Sequence, residues 1–64
     1  MQTINGKHFD NDGQALIEFL EQNGFEISRI AIELNGKILP KNKYGAQLLC
    51  DGDHIEIVSF VGGG

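Results

Sequence analysis

The chain has 64 residues, a formal charge of −4 and an apolar fraction of 41%, which suits one small domain. Such a domain buries only ~60% of its unfolded surface, so there is no room for an enzyme cleft walled on all sides. Its single cysteine excludes an internal disulfide framework and a multi-thiolate metal or iron–sulfur site. The basic residues are scattered rather than clustered, which argues against nucleic acid and anionic membranes and favours a protein partner.

Two further absences bear on location. No apolar run approaches the ~20 residues that a membrane span requires. The segment Met1–Lys7 has no basic start followed by an apolar stretch, as a signal peptide would have. We therefore expect a cytoplasmic protein.

The N-terminal part of the chain predicts a hairpin followed by a helix. Asn5-Gly6 is a strong hairpin signal, because both turn positions require positive φ. Asn11 or Asp12 is expected to cap the helix, with Gln14 completing a capping box. The helix is expected to run for about three turns and to stop at Gly24. Its apolar face is formed by Leu16, Phe19 and Leu20.

The rest of the chain predicts three more strands. Ile30–Leu34 alternates apolar and outward residues, and Asn35-Gly36 is a second hairpin turn. The returning strand ends at Pro40, which cannot donate to a ladder. After an irregular connection with a turn of 3₁₀ helix, Asp51–Asp53 forms a tight turn before the last strand, His54–Val61. The order β-β-α-β-β-β predicts an α+β fold in which one main helix packs on one face of a mixed four- to five-stranded sheet.

The alternation of the last strand divides its side chains between two faces. Its central isoleucines must face the helix, so the residues between them face outward. If this strand pairs with the alternating strand before it, two outward residues of that strand lie alongside. Apolar groups rimmed by acids suggest a protein-binding patch, although single exposed apolar residues are common on any surface. The candidate docking residues are Glu56, Val58, Phe60, Ala31 and Glu33.

The chain ends in three glycines, Gly62, Gly63 and Gly64. Extended, they reach roughly 10 Å at ~3.3 Å per residue, and a thread without Cβ atoms can enter a narrow channel. The α-carboxylate of Gly64 is ionised at neutral pH and unhindered, so it can attack the α-phosphorus of ATP to give an acyl adenylate. The alternative for such a run is a flexible linker or a disordered end. We interpret residues 1–61 as the folded domain and residues 62–64 as a flexible tail.

Other reactive residue types favour structural roles. Cys50 stands alone and is expected to be a small buried hydrophobe. His8 and His54 lie at the ends of different strands, with no third ligand at metal spacing. Asp51–Asp53 lacks the rest of a calcium loop, and Lys41 is expected in a solvated loop. No metal site is predicted.

Taken together, these segments resemble the ThiS family of ubiquitin-like sulfur carriers in thiamine biosynthesis. The resemblance covers essentially the whole chain and rests on "INGK", "ALIEFLEQ", "IAIELNGKILPKNKY", "DGDHIEIVSFV" and the terminal "GGG". It implies a β-grasp fold. It also implies that Gly64 is adenylated, converted to a thiocarboxylate, and donates sulfur to thiazole synthase. Gly63 and Gly64 match the family's functional motif, and Gly62 is implied only as part of the thread.

The resemblance implies three partners: a ThiF-like adenylating enzyme related to ubiquitin-activating enzymes, thiazole synthase, and a sulfur donor such as a cysteine desulfurase. ATP and Mg would be used by the activating enzyme, with no cofactor bound by this chain. The chain would be a protein co-substrate rather than an enzyme. Three alternatives stay open: the molybdopterin synthase small subunit, which is typically longer than this chain, a ubiquitin-like protein modifier, and a non-covalent β-grasp binding module.

Overall fold

A computed structural model describes residues 1–60 of the chain. Within those residues, five strands form one mixed sheet in the order β2-β1-β5-β3-β4. The pair β1–β5 is parallel and the other pairs are antiparallel. The predicted α+β fold is confirmed. The elements are β1 Gln2–Ile4, β2 Lys7–Phe9, α1 Leu16–Gln22, β3 Ile30–Leu34, β4 Lys37–Leu39 and β5 His54–Ser59, with 3₁₀ turns at Ile27–Arg29 and Lys41–Ala46.

Both predicted hairpin turns are confirmed by their backbone angles. Asn5 and Gly6 have φ of 50° and 80°, and Asn35 and Gly36 have φ of 51° and 84°. Positive φ at both central positions gives a turn whose twist matches that of the flanking strands. The register that follows pairs the strand residues on either side of each two-residue turn.

The side chains of the two turn asparagines also hold β5. The Asn5 amide donates to the Ile57 carbonyl oxygen at 3.1 Å and accepts from the Ile57 N–H at 2.7 Å. We call this pair of bonds the Asn5 bridge, because it continues the parallel β1–β5 ladder beyond the end of β1. On the other side of β5, Asn35 accepts from the His54 N–H at 2.8 Å and donates to the Asp53 carboxylate at 3.0 Å. The start and the middle of β5 are thereby tied to both hairpins.

Helix α1 begins later than the capping signals predict. It starts at Leu16, with Ala15 as its N-cap and no capping bond from a side chain. The prediction that Asn11 or Asp12 caps the helix is therefore wrong. The Leu16 N–H donates to the Gln47 carbonyl oxygen at 2.9 Å, so a distant backbone segment satisfies one of the four N–H groups that have no partner within the helix.

The residues expected to cap the helix surround a buried side chain of β1. Gln2 is fully buried. Its amide donates to the Asp12 carboxylate and to the Cys50 carbonyl oxygen, and it accepts from the Asn11 N–H at 2.9 Å. Because a buried amide without partners is costly, the Asp12 carboxylate is needed here, while the side-chain amide of Asn11 donates to the Gln14 side-chain oxygen at 2.8 Å.

The N-terminal amine lies beside the same corner of the fold. The Met1 nitrogen is 2.8 Å from the Asp12 carboxylate and 2.6 Å from the Asp51 carboxylate. The hydrogen bond that the amine donates to Asp12, followed by the one it donates to Asp51, raises the pKa of the amine from 8.0 to about 10. The same bond to the amine, with that from Gln2, lowers the pKa of the Asp12 carboxyl.

The end of α1 follows the prediction. Gly24 has φ of 76° and donates to the Glu21 carbonyl oxygen at 3.2 Å, while the Phe25 N–H donates to the Leu20 carbonyl oxygen at 2.9 Å. This bond pattern is a Schellman motif, in which glycine adopts the left-handed conformation.

The core lies between α1 and one face of the sheet. The predicted helix residues Leu16, Phe19 and Leu20 are buried in it, and the Phe19 ring meets the Phe9 ring edge-to-face at 5.1 Å. Tyr44 enters this core from the 3₁₀ turn after β4, and burial raises the pKa of its phenol. The other buried apolar residues are Ile4, Ile30, Ile32, Leu49, Ile55 and Ile57.

Candidate docking surface

Strand β5 occupies the centre of the sheet and leads to the C-terminal glycines. The described chain stops at Phe60, whose N–H donates to the Arg29 carbonyl oxygen at 2.9 Å. The predicted strand end at Val61, the boundary after residue 61, and the tail residues Gly62, Gly63 and Gly64 lie outside the described residues.

The sheet face opposite α1 carries four of the five predicted docking residues. In the β3–β5 register, Ala31 is opposite Val58 and Glu33 is opposite Glu56. All four are exposed, and Val58 retains 60% of its surface. The prediction that these residues lie together on the outer face is confirmed, because the period-two alternation holds along both strands.

A further apolar residue belongs to this face and was not predicted. Ile38 lies on β4 directly opposite Glu33 and is 70% exposed, more than any other large apolar residue among those described. The sequence does contain the signal for it. A two-residue turn at Asn35-Gly36 fixes the pairing of β3 with β4, so the residue opposite an outward Glu33 must also face outward.

Phe60, the fifth predicted docking residue, lines a groove together with Ala31. The Lys41 Nζ atom lies 5.8 Å from the centre of the Phe60 ring, within the ~6 Å range of a cation–π contact. Lys41 also donates to the Ser28 carbonyl oxygen at 3.2 Å. Phe60 is 42% exposed, so it is a partly covered residue rather than a fully outward one. Lys41 is exposed, as predicted for a solvated loop, but its side chain also contacts Phe60 and Ser28.

The groove beside Phe60 is an open cavity of about 250 Å³. We call it the β3 groove, because β4 covers only the second half of β3 and leaves the first half free on that side. Its lining is almost wholly apolar. It includes Ala31, Ile38, Leu39, Pro40, Lys41 and Phe60.

Carboxylates border the apolar part of the face. Glu33 and Glu56 occupy directly opposite positions on β3 and β5. The His54 Nε2 atom lies 3.6 Å from a Glu56 carboxylate oxygen. Like charges directly opposite across strands repel each other, so the free protein keeps an unfavourable pair here.

The remaining reactive residue types form no site within the described chain. Cys50 is exposed, so the prediction that it is buried is wrong. Its neighbour Leu49 faces the core, and the residues on either side of Leu49 consequently face outward. Among residues 1–60 no three His, Cys, Asp or Glu side chains come together to hold a metal ion. Asp53 serves the predicted turn, since its carboxylate accepts from the Cys50 N–H at 2.9 Å.

No helix in this part of the chain is long and apolar enough to cross a membrane.

Comparison with known proteins connects this geometry to a family. The chain is similar to a sulfur carrier protein ThiS from Bacillus subtilis, with 38% identity over a 66-residue alignment that covers 100% of both chains. It is also 37% identical over 62 residues to a thiazole synthase of Paramagnetospirillum magneticum. That alignment covers 95% of this chain but only 19% of the thiazole synthase.

Solved structures agree with these sequences. The crystal structure of a thiamine biosynthesis protein (ThiS) from Geobacter metallireducens superposes with a TM-score of 0.76 at 30% identity, over 98% of this chain and 97% of that one. This likeness confirms the β-grasp fold that the resemblance implied. The model of the ThiS family matches residues 1–64, and the chain therefore belongs to the ThiS family.

Proposed function

We propose that this chain is the sulfur carrier of thiamine biosynthesis, with the carboxylate of Gly64 as its reactive group. The observation that carries the proposal is the match along the whole length of both chains to the Bacillus subtilis sulfur carrier protein. The fold supports it, because the central strand of the sheet runs directly toward the glycine end. The exposed face of that strand offers a surface by which a partner can hold the carrier while the tail reacts.

In the proposed cycle, every chemical step takes place at the carboxyl group of Gly64. A carboxylate oxygen of Gly64 attacks the α-phosphorus of ATP and pyrophosphate leaves, which gives an acyl adenylate. A sulfide-level nucleophile then attacks the acyl carbon, AMP leaves, and the thiocarboxylate forms directly. When the sulfur comes as the persulfide of a cysteine desulfurase, the attack gives an acyl disulfide, and a thiol reductant cleaves its S–S bond to release the thiocarboxylate. The resulting thiocarboxylate keeps sulfur nucleophilic and covalently held, so it can be passed on without release of free sulfide.

Catalytic groups are supplied by other proteins in this proposal. A ThiF-like adenylating enzyme binds ATP and Mg, and a donor such as a cysteine desulfurase provides sulfur. Thiazole synthase receives the sulfur. Two relatives with the name thiazole synthase each contain a segment similar to 95% of this chain, which supports that acceptor. The chain itself acts as a protein co-substrate.

An intact-mass measurement tests the proposal. The chain is incubated with a purified ThiF-like enzyme, ATP, Mg and a sulfur source. We expect a mass gain equal to the replacement of one oxygen by one sulfur, localised to Gly64 by fragmentation. The matched control lacks Gly63 and Gly64 and should keep its mass. An unmodified full-length chain would contradict the proposal.

The acceptor is tested separately. The thiocarboxylated chain is mixed with thiazole synthase in one reaction and with the molybdopterin synthase large subunit and its pterin precursor in another. We expect sulfur transfer in the first reaction. Transfer only to the pterin precursor would assign the carrier to the other pathway.

A further inference from the structure

We propose that the β3 groove receives one large apolar side chain of the adenylating enzyme and that Glu33 and Glu56 receive a basic side chain next to it. This inference rests on the proposed function, because it specifies how the enzyme that activates Gly64 recognises the carrier. It commits to one occupant, which is a protein segment presenting an apolar anchor flanked by an arginine or a lysine.

The groove has the size and the lining for a single anchor. Its volume of about 250 Å³ is below the range of about 300–1,000 Å³ for small-molecule pockets. Its walls are held in place from both sides. The buried Tyr44 ring supports the groove from the core, and Phe60 is held by its bond to Arg29 and by Lys41. A preformed apolar hollow that needs no rearrangement suits a side chain from a partner.

Ile38 is the most exposed large apolar residue of this surface among those described. It is 70% exposed at the mouth of the groove, so it leaves apolar surface in water in the free protein. A partner that covers Ile38 removes that surface from water at no cost in polar desolvation. Side chains that fill a well-packed, desolvated pocket contribute a large share of the free energy of an interface.

The carboxylate pair favours a partner with a basic side chain at this position. Glu33 faces Glu56 across β3 and β5, and neither faces an Arg or Lys ion-pair partner within the described residues. An arginine fork contacts two carboxylates at once and removes the repulsion between them. The chain's formal charge of −4 also favours a basic partner.

The register places the two features side by side. Ile38, Glu33 and Glu56 form one row across β4, β3 and β5. Neighbouring strands are ~4.8 Å apart, so the ends of this row are about 10 Å apart. One short segment of a partner therefore spans both the groove and the carboxylate pair.

Three variants and a direct binding measurement test this inference. Calorimetric titration of the purified ThiF-like enzyme into each carrier gives Kd at low, intermediate and high salt. Ile38→Ser is expected to weaken binding about tenfold or more, because it removes the apolar contact at the groove mouth. Glu33→Gln with Glu56→Gln keeps the side-chain shapes and is expected to weaken binding about fivefold at low salt and less at high salt.

The matched control carries the same change in net charge on the opposite face. Glu18→Gln with Glu21→Gln alters two exposed acids of α1 and should leave Kd within about twofold at each salt concentration. The unfolding midpoint separates recognition from structure. The Glu33 and Glu56 double variant should unfold at higher urea than the wild type while binding more weakly, since it removes a repulsive pair.

The outcomes are separable from the carrier proposal. Wild-type affinity in Ile38→Ser overturns the groove assignment even if the wild-type chain acquires sulfur at Gly64. A salt dependence that is equal in the two double variants overturns the carboxylate assignment. A wild-type chain that does not bind the enzyme overturns the whole inference, and the sulfur-transfer experiment then decides the carrier proposal independently.

Discussion

Removal of the Asn5 bridge tests whether β5 depends on a side chain to hold its centre. Asn5→Gly is the suitable change, because glycine adopts positive φ without strain while it deletes both bonds to Ile57. Asn35→Gly is the matched comparison. It occupies the same turn position in the second hairpin and also loses two side-chain bonds, but those bonds are exposed to water.

The magnitude follows from the bonds and their surroundings. Each net hydrogen bond contributes about 0.5–1.5 kcal/mol, so loss of the Asn5 bridge is expected to cost about 1–3 kcal/mol. Glycine adds about 0.5–1 kcal/mol through the entropy of the unfolded chain, and this term is common to both variants. Water replaces the exposed Asn35 bonds more easily than those of the Asn5 bridge, which are partly buried. We therefore expect Asn5→Gly to be less stable than Asn35→Gly by about 1 kcal/mol.

Urea unfolding followed by circular dichroism measures this difference. For a domain of this size each 1 kcal/mol corresponds to about 4–8 °C in Tm, so thermal unfolding gives a second estimate. Hydrogen exchange measures the effect at the bond itself, because the Ile57 N–H donates to Asn5 and should exchange faster in Asn5→Gly. Equal stability of the two glycine variants, with unchanged exchange at Ile57, would refute the reasoning.

Three further predictions concern the core, the N-terminus and the groove. Leu20→Ala is expected to cost about 2–5 kcal/mol in urea unfolding, whereas Ile38→Ala should cost no more than about 0.5 kcal/mol, and similar costs would contradict the assigned burial. The pKa of the Met1 amine is raised from 8.0 to about 10, so its contribution to stability is complete below pH 8 and is lost as pH rises through 10. The urea midpoint should fall across that window, and less so in Asp51→Asn; a flat profile in the wild type would count against the ion pair. Phe60→Asp should weaken binding of the ThiF-like enzyme about tenfold in calorimetry with unchanged circular dichroism, and unchanged affinity would remove Phe60 from the docking surface.

Local signals predicted those parts of the fold in which a few neighbouring residues decide the backbone. Asn5-Gly6 and Asn35-Gly36 form the predicted turns because positive φ depends on the residue itself and its neighbour. Helix α1 begins later than predicted, and the side chain of Asp12 accepts from Gln2 and from the Met1 amine, both distant in sequence, instead of capping the helix. A capping signal has no information about such a competitor, so the start of the helix depends on tertiary structure.

The outward sheet residues of the candidate docking surface were predictable from the sequence, but the groove beside Phe60 was not. The outward positions of Val58 and Ala31 follow from alternation, and Ile38 follows from the turn register once that register is applied to β4. The groove beside Phe60 depends on how the chain turns after Pro40 and brings Lys41 over the ring. The sequence predicts a 3₁₀ turn in this connection, and the structure has one at Lys41–Ala46, but no periodic pattern predicts the direction in which that turn takes the chain.

The parallel pairing of β1 with β5 has a mechanical consequence. Thr3 lies beside His54 and Ile4 beside Ile55, and β5 is also bonded along its other edge to β3. A force that pulls on the C-terminal end while the N-terminal end is held slides β5 along β1, because the two strands run in the same direction. Bonds perpendicular to such a force share the load and must break together rather than one after another. The central strand therefore resists traction along its axis far better than an edge strand that is peeled away, which suits the carrier role that we propose, in which a partner enzyme would hold the C-terminal end.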